Sequence, residues 1–228
     1  MSQRYAERLE ALHTAPVSVP TVGDPMLVTL RAAMHTNFVA LLEHEVECRR
    51  DKNIEALRTM LRAVFQLRAL VKIAEDDFDQ KTIKKAGKRL RKLSRCLADV
   101  HELDVMMRDI LHYGAALSHR RTIATIVAHL DAQRLLAKAQ LIEYLDSKKY
   151  RKFLKRFQAF LLAPADEVLD LTPIDDPTAP SEVRHLLPVV LHQQLAKIRA
   201  YDTFMDASDN EVFVAMRNDV WLFRYTLT

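Results

Sequence analysis

Three glycines in 228 residues leave this chain few positions that take a positive φ without strain, so folds built on tight β-hairpins are all but closed to it. With 49% apolar and 28% charged residues it has the composition of a globular protein with a sizeable core, and an all-α architecture is the expectation. No apolar run reaches the roughly 18 residues of a membrane span. The start, "MSQRYAERLEALH", lacks the apolar middle of a signal peptide. Cys48 and Cys96 lie in helical patterns rather than in a disulfide framework, which fits a reducing compartment, and the expected location is cytoplasmic.

Breakers and periodicity divide the chain. Residues 1–24 end in "TAPVSVPTVGD" before Pro25 and read as a flexible N-terminal arm. Residues 25–163 read as a first helical bundle with connecting long helices. Its first helix spans Met26 to Arg50; a second starts near Asp51, an acceptable cap, and buries Leu57, Met60, Leu61, Val64, Leu67 and Val71. After "EDDFDQ" a third carries Ile83, Ala86, Leu90, Leu93 and Leu97 at spacings of three and four. Asp104 reads as the start of a fourth, with Gly114 as its stop or kink. Residues 118–163 read as a long helix or a pair broken at "LDSKKYRKF". Residues 164–180 are a Pro-rich connection, and 181–228 an incomplete second bundle: a helix from Ser181 to about Met205, the turn "DASDN", and a helix from Glu211. The last pattern runs into Thr228 without a stop signal, so a truncated final helix is expected.

Charge is distributed unevenly. From Arg49 to Arg95 there are fifteen basic against six acidic residues; from Phe157 to Thr228, five against eleven. Lys81 to Arg95 holds eight Lys or Arg and no acid, whereas a solvated helix normally interleaves Glu with Lys to gain i,i+4 pairs. On a helical wheel Lys84, Lys88, Lys92 and Arg95 fall on one stripe with Lys81 and Lys85, and Arg89 and Arg91 flank it. The preceding helix sets Arg58, Arg62, Arg68 and Lys72 within about 120°. Two basic stripes on neighbouring helices suit a polyanion, because a guanidinium fork grips phosphate oxygens with paired hydrogen bonds. A third cluster, "KKYRKFLKR", places Lys149, Arg151, Lys152 and Lys155 around Tyr150, Phe153 and Phe157; those rings are either base-stacking platforms or, at spacings of three and four, core anchors.

Other chemistries find little support. His44 and Cys48 stand at i,i+4 beside Glu43 and Glu47, but no second ligand cluster completes a metal site. There is no Gly-rich phosphate loop, H-E-x-x-H or G-x-S-x-G, and no catalytic constellation; neither enzyme activity nor a cofactor is expected.

Several segments together resemble the CHAD domain, an α-helical domain named for its histidines. "EALRTMLRAVFQLRAL" is similar to a helix of the form His-x-x-Arg followed by an arginine cluster, with Arg58 and Arg62 on two of the arginines. "LSRCLADVHELDV" follows the basic helix as in the family, with Leu97, Asp104 and Val105 matching and His101 and Glu102 in place of Arg-Asp. "YRKFLKRFQAFL" and "VAMRNDVWLFRYTL" resemble the family's second half, with Arg217, Arg224 and Tyr225 matching. The resemblance covers residues 26 to 228. It implies two pseudo-symmetric antiparallel helical bundles around a basic groove that binds inorganic polyphosphate, often at polyphosphate granules. Glu55 and Val214 stand where the family has histidines, and Trp221 and Leu222 replace a basic pair.

Two readings follow. In the first, the chain is a non-catalytic polyphosphate-binding domain whose site comprises Arg58, Arg62, Arg68, Lys72, Lys84, Lys88, Arg91, Lys92, Arg95, Arg217 and Arg224, with Lys149, Arg151, Lys152 and Lys155 as outer candidates. In the second, it is an interaction module that kept the fold, lost the ligand and docks an acidic protein. Nucleic acid is disfavoured, since no recognition helix follows a turn.

Overall fold

The computed structural model describes residues 3–15, 21–50, 54–75, 78, 80–114, 120–164, 180–203 and 210–227. The described structure is all-α. Its helices are α1 (Gln3–His13), α2 (Met26–Arg50), α3 (Ile54–Ile73), α4 (Gln80–Gly114), α5 (Arg120–Asp146), α6 (Lys148–Leu162), α7 (Val183–Ala200) and α8 (Asn210–Thr226), with a 3-10 turn at Tyr201–Thr203. No described helix is long and apolar enough to cross a membrane.

The core lies inside a ring of four helices in which α2 packs on α3, α3 on α4, α4 on α6, and α6 back on α2. Each contributes a stripe at helical spacing: Met34, Phe38 and Leu41 from α2, Met60, Val64 and Leu67 from α3, Ile83, Leu90, Leu93 and Leu97 from α4, and Tyr150, Phe153, Phe157 and Phe160 from α6. Phe38 meets Phe157 edge-on with centroids 5.2 Å apart. Gly87 lets α4 approach α3, since a Cβ there would stand 3.3 Å from Cγ1 of Val71. The break at "LDSKKYRKF" is real: Ser147 caps α6, its hydroxyl accepting from the Tyr150 backbone N–H at 3.1 Å.

Three sequence expectations are corrected. The third and fourth helices are one helix of 35 residues, because Asp104 is not a cap; its carboxylate receives the Arg134 guanidinium of α5 in the middle of α4. The stretch read as a loose arm holds α1, whose Leu12 is fully buried and whose Tyr5 hydroxyl donates to the Leu42 carbonyl at 2.6 Å. The helix expected to reach Met205 ends at Ala200 and tightens into the 3-10 turn. The Asp51 cap, most of the 164–180 connection and most of "DASDN" lie outside the described residues.

The C-terminal helices are fastened to the ring by backbone and by rings. Met26 N–H donates to the Ser181 carbonyl at 2.8 Å, and Val183 and Arg184 return hydrogen bonds to Asp24 and Val22. Neither α7 nor α8 contains a fully buried residue. Lys197 and the Tyr201 hydroxyl both reach the Asp219 carboxylate, holding α7 to α8, and α8 lies along α3.

Candidate polyanion site

The α3–α4 edge of the ring gathers the basic residues that the sequence singled out. Arg68 projects from α3 toward α4, donates to the Ser94 hydroxyl at 2.9 Å, and lays its guanidinium over the Phe65 ring at 5.3 Å from the centroid. Burial, and after it the like charges of Arg91 and Arg95, push this guanidinium down to about 10. It remains protonated at neutral pH, so the edge holds a half-buried cation whose charged neighbours repel it. One turn further, Lys72 bonds the Glu75 carboxylate. That hydrogen bond, with the nearby charges of Lys72, Lys84 and Arg91, holds Glu75 below the usual carboxylate range.

The geometry refines the helical wheel. Arg91, expected on the flank of the α4 stripe, acts together with Arg95 on Arg68, and with Lys84 on Glu75, so the side of the stripe nearest α3 runs Lys84, Arg91, Arg95. Lys88 and Lys92 are exposed on the same half of α4. Arg58 and Arg62 are exposed nearer the start of α3, about 9 to 15 Å along the helix from Arg68. Arg58 pairs with Glu55, the residue standing where a histidine was expected, at 3.3 Å.

A second wall comes from α8. Phe65 stacks on Tyr225 with centroids 5.4 Å apart and meets Trp221 edge-on at 4.6 Å. Arg217 lies over Trp221 at 5.1 Å, and Arg224 over Tyr225 at 5.8 Å. Three guanidinium planes are thereby carried on one cluster of three rings, an arrangement that holds them in fixed orientations. Trp221 orients Arg217, which also reaches Glu102 of α4 at 3.6 Å.

Lys149, Arg151, Lys152 and Lys155 do not join this edge. They are exposed on α6, whose main neighbours among the described helices are α4, α5 and α2. Arg151 and Lys155 instead line an open cleft of about 1560 Å³ with Arg8 and Arg50. Tyr150, Phe153 and Phe157 are buried, so they are core anchors rather than stacking platforms. Cys48 is buried and Glu43 contacts His13 at 3.0 Å; among the described residues no group of three potential metal ligands occurs. Phe65 and Ser94 also belong to the α3–α4 site, and charge patterning does not mark them. Ser94 had a legible signal, a small polar residue between the core positions Leu93 and Leu97.

The family model of the CHAD domain matches residues 32–228. The fold is similar to that of PptA from Streptomyces chartreusis, with a TM-score of 0.63 and 14% identity over 90% of this chain and 75% of that one. It is similar also to the crystal structure of the CHAD domain from the plant Ricinus communis, with a TM-score of 0.63 and 16% identity over 93% of this chain and 68% of that one. No curated protein matches the chain.

Proposed function

This chain belongs to the CHAD domain family, and on that premise we propose that its α3–α4 edge binds inorganic polyphosphate without catalysing a reaction on it. One observation carries the reading: Arg68 is half-buried on Phe65, and the charged groups that depress its pKa are two further arginines. A buried charge is ordinarily paired, and a site that leaves cations to repel one another is complementary to an anion it does not yet hold. Arg68, Arg91 and Arg95 grip one stretch of phosphates, Lys72, Lys84 and Lys88 extend the track toward the start of α4, and Arg217 and Arg224 close it from α8. Arg58, Arg62 and Lys92 supply outer charge. A linear polyanion suits such a track because each phosphate repeats the same contact. We extend the proposal to association with polyphosphate granules, whose surface presents the same repeated phosphates.

The test is a calorimetric titration with long-chain polyphosphate, single-stranded DNA of matched phosphate content and polyglutamate of matched charge, at several salt concentrations. Polyphosphate is expected to bind tightest at every salt, with log K falling linearly against log salt through counterion release. Equal affinity for polyphosphate and DNA at all salts would reduce the edge to a generic basic surface. Preference for polyglutamate would replace this reading by the docking of an acidic protein.

A further inference from the structure

Helix α5 carries two apolar stripes, of which one packs against other elements among the described residues. The inner stripe faces α4: Leu141 and Leu145 are buried, Arg134 reaches Asp104, the Tyr144 hydroxyl donates to the Arg89 carbonyl at 2.9 Å, and Ile123 sits against Gly114, where a Cβ would stand 2.9 Å from Cδ1. On the opposite side, Arg121, Thr125, Ala128, Ala132, Leu136, Ala139 and Glu143 all lie within about 40° of Ala132 at 100° per residue. All seven are exposed, Leu136 at 67%. The Thr125 hydroxyl donates back to the Arg121 carbonyl of its own helix at 3.0 Å, so its donor is satisfied within α5. A helix apolar on two sides normally has packing on both.

From the charges at its ends we infer that the outer stripe of α5 is an interface for a second copy of this chain. The middle of the stripe is small and apolar, one end is the cation Arg121, and the other is the anion Glu143. In an antiparallel pairing of two α5 helices about a two-fold axis at Ala132, Arg121 meets Glu143 of the partner subunit at both ends. Thr125 then meets Ala139 of the partner subunit, and Ala128 meets Leu136 of the partner subunit. Large faces small and plus faces minus, which is the self-complementarity that an isologous contact requires. The reverse, parallel pairing would set Arg121 against Arg121 and Glu143 against Glu143 of the partner subunit. The contact is about 33 Å long, and one helix pair is small for a specific interface, so the dimer is expected at micromolar chain concentrations.

Sedimentation equilibrium of the full chain without any polyanion, over a range of concentrations, tests this. The unaltered chain should show a reversible monomer–dimer equilibrium. Leu136→Glu, which buries a charge against the apolar middle, should leave it monomeric with unchanged helix content. Arg121→Glu and Glu143→Arg should each weaken the dimer about five- to tenfold, since each variant creates two like-charge contacts. The double exchange R121E/E143R restores complementarity and should recover the dimer to within about twofold of the unaltered chain. The cycle does not depend on Leu136→Glu folding, because both sites are exposed helix surface. A chain that stays monomeric at about 100 µM or above, or a double exchange no tighter than either single, overturns the inference.

Discussion

Arg68 lies over Phe65 with its guanidinium bonded to Ser94 and subject to the charges of Arg91 and Arg95, and taking a charge partly out of water beside like charges costs free energy until a counter-charge arrives. Replacing it by Met, which keeps the length of the side chain and its contact with the ring, should stabilise the ligand-free protein by about 1 kcal/mol. The same change should weaken polyphosphate binding about tenfold; urea denaturation and calorimetry measure the two effects. The sign of the pH dependence is fixed. A base whose folded pKa lies below its unfolded value destabilises the fold while it is charged, and this penalty is complete below about 10 and fades as pH rises from there toward the unfolded value. The advantage of the Met variant should therefore narrow above about pH 10. A variant that loses both stability and binding would mark Arg68 as a structural residue. The basic character of this edge was legible in the sequence, but the special position of Arg68 among four α3 bases was not. A helical wheel gives direction and not depth, and the depth comes from Phe65, Trp221 and Tyr225, which meet only in the fold.

At the scale of elements, periodicity located the core helices well and misread what local residue types mean in isolation. Asp104 resembles a helix cap, yet its partner Arg134 lies 30 residues further on, in another helix. The prolines that follow α1 mark where it stops, not whether it packs, and its Tyr5, Leu9 and Leu12 stand at the spacing of a buried face. That docking rests partly on His35 of α2, buried with its ring bonded to the Leu12 backbone. Burial lowers its pKa below the ordinary value, and the charges of His13 and Arg31 add to this. A histidine held neutral in the fold protonates first in the unfolded chain. Its contribution is complete above about pH 6.5 and is lost as pH falls toward the folded pKa. Thermal melts between pH 7.5 and 5 should show the unaltered protein losing more stability on acidification than His35→Gln, which keeps a donor for Leu12. Parallel profiles for the two would remove His35 from the account.

Over the whole molecule, the all-α class, the ring helices α2, α3 and α6 and the core half of α4, and the basic α3–α4 edge were legible, because periodicity and charge omission are local signals. The attachment of α7 and α8 was not. It depends on strand-like pairing of residues 22–26 with 181–184 and on aromatic contacts between residues about 160 apart, neither of which leaves a periodic trace. The fold also separates two basic surfaces that the sequence could not rank, since α3–α4 and α2–α6 are opposite edges of the ring and the first holds the half-buried Arg68 beside the like charges of Arg91 and Arg95. The central claim is that polyphosphate binds at the first edge. Affinity for long-chain polyphosphate, measured at one salt concentration in two variants that each lose three positive charges, tests it most directly: Arg68→Met with Arg91→Gln and Arg95→Gln, against Lys149→Gln with Arg151→Gln and Lys155→Gln. The account predicts at least a tenfold loss in the first and a change of no more than about two- to threefold in the second, the general effect of lowering net charge. Equal losses in both, or the larger loss in the α6 variant, would contradict it.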